Sequence, residues 1–413
     1  MPKKYKVLLS AYACEPNRGS EPGVGWNWAV EIAKRGHEVV VLTRKNNREV
    51  IENNENTPFN LNFIYYDLPS SLMWLKKVFG VQLYYFLWQV GVYFFIKKQL
   101  KYLKLDFIHH ITFVAIRKYS FLSLLGVPFY YGPLGGGENC PSYLLKNESS
   151  KSKTKEFIRN SLNKMLRFNI LSNVMFSKAR KIFATTEQSA YYINDKFNNK
   201  INVFPAIGIA LNNSNKVVNN QSNSVIQLLY VGQFIYWKGL QICLDALKVV
   251  SDTGVNFKLT LVGKGSEEFV LKQKVKDLNL EGNIEWVNWI PQDELSIIYK
   301  KKNLFLFPSL HDSGGMVVLE AMSLGLPIIC LDIGGPGYFV NESVGSKISV
   351  TNKTYTQVVS EYAEAILELS NDRQLLENKS NNAVHRVSQY TWENTIDKVY
   401  SIIEDDFYSL ERK

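Results

Sequence analysis

Two carboxylates, Asp312 and Glu320, stand eight residues apart in the stretch PSLHDSGGMVVLEAMSLGLP, with Gly314 and Gly315 between them. A helical run opens at Met316, so the glycine pair sits just ahead of a helix N-terminus. Bare backbone N–H groups and the positive end of the helix dipole are available there to an anion. One carboxylate could accept hydrogen bonds from sugar hydroxyls and the other from a ribose diol. The flanks narrow the reading: an apolar strand LFLF precedes the acid, and EAM, GLP and a second strand IICLD follow it.

The elements that must carry these groups alternate between strand-like runs and helical patterns, which predicts an α/β protein with parallel sheets. The pattern occurs twice. Tyr5–Tyr12 reads as a strand ending in a Gly-rich turn, then a helix over about Gly25–Arg35 and a strand Glu38–Thr43. It restarts at Val225–Val231, passes Gly232, and continues through a helix Leu240–Ser251 to a strand Lys258–Val262. LNNSNKVVNNQSNS between the halves has linker composition. The expected division is therefore 1–210, a linker at 211–224, and 225–397. A terminal helix, aromatic and apolar at helical spacing within Tyr390–Glu404, is expected to pack back on the first domain over about 398–413.

Further chemistry-bearing groups fall where strands end, the edge at which open α/β sheets take ligands. CEPNRGSEPGVGW carries Gly19, Gly23 and Gly25 with Arg18 and Glu21, a loop open to a phosphate or a sugar, or a plain βα turn. It lacks G-x-G-x-x-G spacing and a following acid, which disfavours a dinucleotide. DFIHHITF ends in His109, His110 and Thr112, and a histidine there can orient a hydroxyl or carry a proton. A hydrogen-bonded pair capping the strand is the alternative. YYGPLGGGE offers the amides of Gly135, Gly136 and Gly137, with Glu138 for acceptor hydroxyls. In the second half, Gly232, Gln233 and Lys238 follow one strand, Gly263 follows the next, and Trp286 and Trp289 stand near a third. IGGPG, Ile333–Gly337, adds one more glycine turn.

Composition bounds the partners. The 413 residues carry a net charge of +10 and 46% hydrophobic residues, enough for two or three cores. Cys14, Cys140, Cys243 and Cys330 are scattered, which argues against a metal site or disulfide framework and for a reducing compartment. The positive charge fits nucleic acid, an anionic membrane surface or an acidic substrate. No nucleic-acid-binding signature is present, so that class falls behind. Val78–Ile96 is almost wholly apolar between Lys76–Lys77 and Lys97–Lys98. It reads as a mostly buried helix first, a helix on the membrane surface second, and a bilayer span third. Gln82, Gln89 and its Tyr and Trp content weigh against the span.

The Asp312–Glu320 block resembles the E-x7-E motif of glycosyltransferase family 4, with Asp312 in place of the first Glu. Lys238 and the opening glycine loop resemble the same family, over essentially the whole chain. The resemblance implies a GT-B fold, two Rossmann-like domains facing a central cleft, with donor on the second half and acceptor on the first. It implies a retaining transfer from a nucleotide-diphosphate sugar to a glycan or lipid-linked acceptor, in bacterial surface-polysaccharide assembly, with no divalent metal. The alternatives are a same-fold nucleotide-sugar epimerase, a soluble glycogen- or sucrose-type synthase, and a non-catalytic sugar- or membrane-binding protein. By the resemblance, Glu320 holds the ribose, Asp312 with the Gly314, Gly315 and Met316 amides positions the sugar, and Lys238 grips the diphosphate. Gln233 stands where the family has an arginine, which removes a cation from the diphosphate. Trp289 or Ile290 would lie beside the base, with the Gly232 and Gly263 turns at the donor. His110, with His109 next to it, would stand by the transferred sugar. Gly23, Gly25, Glu21, Gly136 and Glu138 would face the acceptor. The expected location is cytoplasmic, peripheral at the inner face of the membrane.

Overall fold

The computed structural model describes residues 3–72, 74–113, 115–211, 225–288 and 290–412. The linker expected at 211–224 lies outside the described residues from 212 on, as does Trp289. The chain forms two compact units. Unit 1 comprises the chain up to Gly137, Ser161–Ile207, and Trp392 onward; unit 2 comprises Glu138–Asn160 and Gly208–Thr391.

Unit 1 is built on a seven-stranded parallel sheet. Its strands are β1 Lys6–Ser10, β2 Glu38–Thr43, β3 Leu61–Tyr65, β4 Phe107–His110, β5 Phe129–Leu134, β6 Ala179–Ala184 and β7 Ile201–Val203. Their order is β3-β2-β1-β4-β5-β6-β7. Unit 2 has six parallel strands, β8 Ile226–Val231, β9 Phe257–Val262, β10 Ile284–Val287, β11 Leu304–Phe307, β12 Ile328–Leu331 and β13 Gly345–Ile348. They run β10-β9-β8-β11-β12-β13. The central strands β11 and β12 are buried throughout, and for that reason they read as unbroken apolar runs. In each sheet the chain works outward on one side and then returns to the other. The reversal falls between β1 and β4 in unit 1, and between β8 and β11 in unit 2.

The helix after β1 spans Ser20–Lys34, five residues earlier than the pattern predicts. Gly23 and Gly25 therefore lie inside a helix, not in a loop. A Cβ at Gly23 would come 1.9 Å from the Arg18 carbonyl oxygen, and one at Gly25 would come 2.0 Å from that of Ala13. Both glycines let the helix lie against the chain leaving β1. Ile333–Gly337 is likewise not a turn; Gly334–Phe339 is a short helix.

Trp74–Leu103 is two helical pieces joined at Gly80, which takes the left-handed φ of 79°. Tyr84, Tyr85, Trp88, Val92 and Ile96 face the core beneath the sheet, while Trp74, Val78 and Phe94 are exposed. Among the described residues no helix is long and apolar enough to cross a membrane. The terminal helix Trp392–Glu411 belongs to unit 1. Its Asp406 accepts from Tyr130 and pairs with Arg180 at 2.6 Å, and its Glu404 pairs with Arg35 at 3.0 Å.

Candidate active site

Unit 2 concentrates its unusual side chains at the reversal between β8 and β11. These strands share register only at Leu304–Leu228 and Phe305–Leu229, so their C-terminal ends run on to Val231 and Phe307 without further paired rungs. Two loops leave there, Gly232–Gly239 and Pro308–Gly315. Close approach binds them together. Leu310 N–H donates to Trp237 O at 2.8 Å. A Cβ at Gly239, whose φ is 67°, would come 2.0 Å from Pro308 O. Trp237 also stacks on His311, ring centroids 5.5 Å apart.

The first loop carries Lys238 and the second Asp312. Lys238 Nζ donates to Asp312 Oδ2 at 2.5 Å, and both side chains are largely buried. The other carboxylate oxygen, Oδ1, accepts from the Gly314 and Gly315 amides, each at 3.0 Å. Gly315, at φ 79°, is the left-handed N-cap of the helix Met316–Ser323. Burial alone would raise the Asp312 carboxyl. Lys238 and the two amides outweigh it and hold the group below its ordinary value, so it is ionised at neutral pH. The amide of Met316, at the first helical position, has no acceptor within its own helix. This corner thus presents a cation, a carboxylate and a helix N-terminus within one hydrogen-bonded cluster.

Glu320 is half-buried one turn further along the same helix, and the Tyr299 hydroxyl bonds to it. Gly232 (φ 156°) and Gly263 (φ 147°) lie at the ends of β8 and β9; a Cβ at Gly263 would come 2.0 Å from Gly232 O. Gln233 is exposed beside them, and Ile290 is half-buried beyond β10.

Glu138 falls on the other side of the division expected from the sequence. The sequence places it with the acceptor groups of the first half, but it belongs to unit 2, where it is buried. Its Oε2 accepts from Ser313 Oγ at 2.6 Å, inside the loop that carries Asp312. The same connecting segment delivers Glu156, which the sequence reading passes over. Glu156 is 1% exposed; it accepts from Arg159 at 3.0 Å and Tyr236 at 3.1 Å and lies 3.3 Å from His311 Nε2. Burial opposes its charge, yet His311, Arg159 and Tyr236 pull it down to about 2. Burial lowers His311 more than Glu156 raises it, so the ring is neutral at pH 7. Glu156 therefore braces Tyr236 and His311, which flank Lys238 and Asp312 in sequence. It stands in a lysine-rich stretch, and nothing local marks it out.

Unit 1 has its own reversal, between β1 and β4, and His109 and His110 end β4 there. They point to opposite faces of the sheet. His109 Nε2 lies 2.7 Å from Gly132 O, and its Nδ1 lies 3.3 Å from the Tyr400 hydroxyl. His110 lies 3.0 Å from Ser10 Oγ and 3.3 Å from the Tyr85 hydroxyl, which also accepts from Gln89. Both rings are fully buried, and burial pushes each down to about 3. At neutral pH both rings are uncharged, and they take the hydrogen-bonded form that the sequence left as an alternative. The Glu21 carboxylate accepts from the Phe113 amide. Gly136 is at the end of β5, and Gly137 packs so closely on Ser189 that a Cβ would come 2.4 Å from its Cα. Lys118, which the sequence reading also passes over, lies over the Tyr85 and Phe113 rings and is pushed down to about 8, chiefly by burial.

The four cysteines are free buried thiols. Among the described residues no group of three or more His, Cys, Asp or Glu side chains could hold a metal ion.

Residues 213–386 match the family model of Glycosyl transferases group 1. An uncharacterized glycosyltransferase of Methanocaldococcus jannaschii is 29% identical over 182 residues, 43% of this chain and 47% of that protein. O-antigen chain mannosyltransferase B of Escherichia coli is 28% identical over 168 residues, 40% of this chain and 42% of that protein. The chain thus spans about half the length of the curated relatives it matches. Among solved structures, Anabaena HepE in complex with UDP superposes with a TM-score of 0.61 at 15% identity, covering 97% of this chain and 100% of that one. The pair of parallel α/β units is the GT-B fold.

Proposed function

We propose that this chain, whose residues 213–386 match the model of glycosyl transferases group 1, is a retaining glycosyltransferase of the family 4 type. It moves a sugar from a nucleotide-diphosphate sugar to a glycan or lipid-linked acceptor, in the assembly of a bacterial surface polysaccharide. It works in the cytoplasm, peripherally at the inner face of the membrane. The observation that supports this most is the Lys238–Asp312 pair seated on a helix N-terminus at the reversal of the second sheet.

In this reading Lys238 and the helix N-terminus face the diphosphate. They stabilise the charge that grows on it as the glycosidic bond to the leaving group breaks, an electrostatic role that needs no metal. Asp312 accepts from the hydroxyls of the transferred sugar, which is placed by the Gly314, Gly315 and Met316 amides. Glu320 accepts from the ribose diol. The Gly232 and Gly263 turns let the donor approach the backbone, and Ile290 lies beside the base. Gln233 offers the diphosphate a hydrogen bond but no charge. Glu21, Gly136 and the chain beside His110 form the acceptor end in unit 1. Glu138, given to the acceptor by the sequence, also supports the Asp312 loop through Ser313. The O-antigen mannosyltransferase among the relatives supports the polysaccharide setting.

Screening UDP, GDP, ADP and dTDP sugars by thermal shift identifies the donor, since a ligand that binds the native state raises its melting temperature. Glu320→Ala is expected to weaken binding of that nucleotide about tenfold or more, the scale of lost hydrogen bonds to a charged group. Unchanged nucleotide affinity in a folded Glu320→Ala protein refutes the ribose role. The anomeric configuration of the product, read by NMR, checks retention.

A further inference from the structure

We propose that the helical corner from Leu162 to Val174 in unit 1 is a membrane-docking surface, shaped to lie on an anionic lipid bilayer. This extends the membrane-side part of the proposed function and rests on that part alone. Vesicle binding needs neither donor nor acceptor, so a failure of the transferase reading leaves it standing.

Two helices meet at this corner through a short 3-10 turn, Leu166–Phe168, and the second spans Ile170–Lys178. The inner side is spent on the core: Leu166, Met175 and Phe176 are 4%, 1% and 2% exposed. Outward, Phe168 is 83% exposed, Ile170 81% and Met165 64%. These apolar tips are held out by a stiff frame. Asn169 caps the second helix by accepting from Ser172 N–H at 2.8 Å. Asn173 and Asn194 each donate to the Arg167 carbonyl at 3.0 Å. Presenting Phe168 and Ile170 therefore takes no further ordering.

Within the segment itself the charge is of one sign, and the acid that reaches it, Asp195, is spent on Arg167. Ser161–Lys181 contains no Asp or Glu, and it carries Lys164, Arg167, Lys178, Arg180 and Lys181. Arg167 is paired with Asp195 and Arg180 with Asp406, and Lys181 is half-buried in β6, which leaves Lys164 and Lys178 as the exposed cations of the segment. The 3-10 turn Phe121–Leu124 packs against both Ile170–Lys178 and Trp74–Leu103. The corner therefore shares one side of the sheet with the aromatic helix, which exposes Phe94 and carries Lys97 and Lys98. Apolar tips set among lysines match the boundary between anionic headgroups and acyl chains. A second copy of the chain fits less well, because it would bring the same cations against these with no acid between Ser161 and Lys181 to answer them.

Co-sedimentation with vesicles tests this. The wild-type chain is expected to bind phosphatidylglycerol–phosphatidylcholine vesicles and not pure phosphatidylcholine. Phe168→Ser with Ile170→Ser should lower partitioning about tenfold or more, the scale of losing two large apolar groups from the interface. Lys164→Gln and Lys178→Gln should each lower it roughly fivefold. All four side chains are exposed or at the surface, so an unchanged melting temperature certifies the fold. Indifference of the wild type to anionic vesicles overturns the proposal, as does a serine pair that binds like wild type. A concentration-dependent dimer that the serine pair abolishes, seen by sedimentation velocity without lipid, would assign the corner to a second copy instead.

Discussion

The two sheets reverse direction in the same way, yet the residues at the two reversals are of opposite character. In unit 2 the reversal holds an ion pair, Lys238–Asp312, with a helix N-terminus behind it. In unit 1 it holds Ser10, His110, Tyr85 and Gln89, a neutral chain of hydrogen bonds closed off from water. Topology fixes where a crevice opens at a sheet edge. It does not fix what the crevice can bind, which the loop residues decide. A fixed cation and a helix N-terminus suit a multiply charged phosphate, whereas neutral donors and acceptors suit hydroxyls.

If this contrast divides the labour of the reaction, removing charge from unit 2 is the most damaging change. Lys238→Ala is expected to lower transfer about 100-fold or more, roughly 3 kcal/mol in the barrier. Ser10→Ala, in the neutral network, should cost less than about tenfold. Steady-state rates on both variants decide it, and equal losses would mean the two reversals do not differ in role.

Acid should separate the units next. His109 and His110 are held at about 3 in the fold against an ordinary value of 6.5. The unfolded chain therefore takes up protons first, and unit 1 loses stability as the pH falls from 6.5 toward 3, on the order of several kcal/mol. Unit 2 responds differently. Burial, with Glu267 nearby, raises Glu148 to about 7, so the fold binds its proton first and gains stability as the pH falls from 7 to 4.5. His311 opposes that gain, and Glu156, held at about 2, withdraws its contribution only below about 4.5. Hydrogen exchange at pH 7, 5.5 and 4.5 should show unit 1 losing protection first. Simultaneous loss would contradict this account. Glu156→Gln should flatten the response of unit 2 below pH 4.5.

The smallest effect concerns Gln233. Placing a cation there, by Gln233→Arg, should tighten nucleotide-diphosphate binding about tenfold if the position faces the phosphates. Titration calorimetry reads it, and no change would place Gln233 outside the charged crevice.

Much of the scaffold is written locally. Glu38–Thr43 forms the strand its apolar run predicts, and the helix expected over Leu240–Ser251 extends one residue further. Met316 opens its helix as the glycine pair before it implies. The failures have a common cause, which is contact between segments distant in sequence. Gly23 and Gly25 look like turn formers because glycine most often signals positive φ. Here they are needed for close approach to Arg18 and Ala13. Glu138 reads as part of the first half because it follows β5, but the chain joins unit 2 at that residue. Glu156 meets Tyr236 across 80 residues, and no periodicity records such a meeting. The exposed apolar residues at Phe168 and Ile170 were equally unreadable, since a sequence does not say which side of an apolar helix the core takes.

The terminal helix carries a consequence for how the protein is made. Trp392–Glu411 follows all of unit 2 in chain order, yet it completes unit 1, laying Tyr400 against His109 and Phe407 against Tyr5. The unit that leaves the ribosome first is thus finished last. Until that helix arrives, Tyr5, Phe107 and His109 lack the part of their cover that Tyr400 and Phe407 supply. A nascent chain stalled short of residue 392 would carry sticky apolar surface, a natural substrate for chaperones.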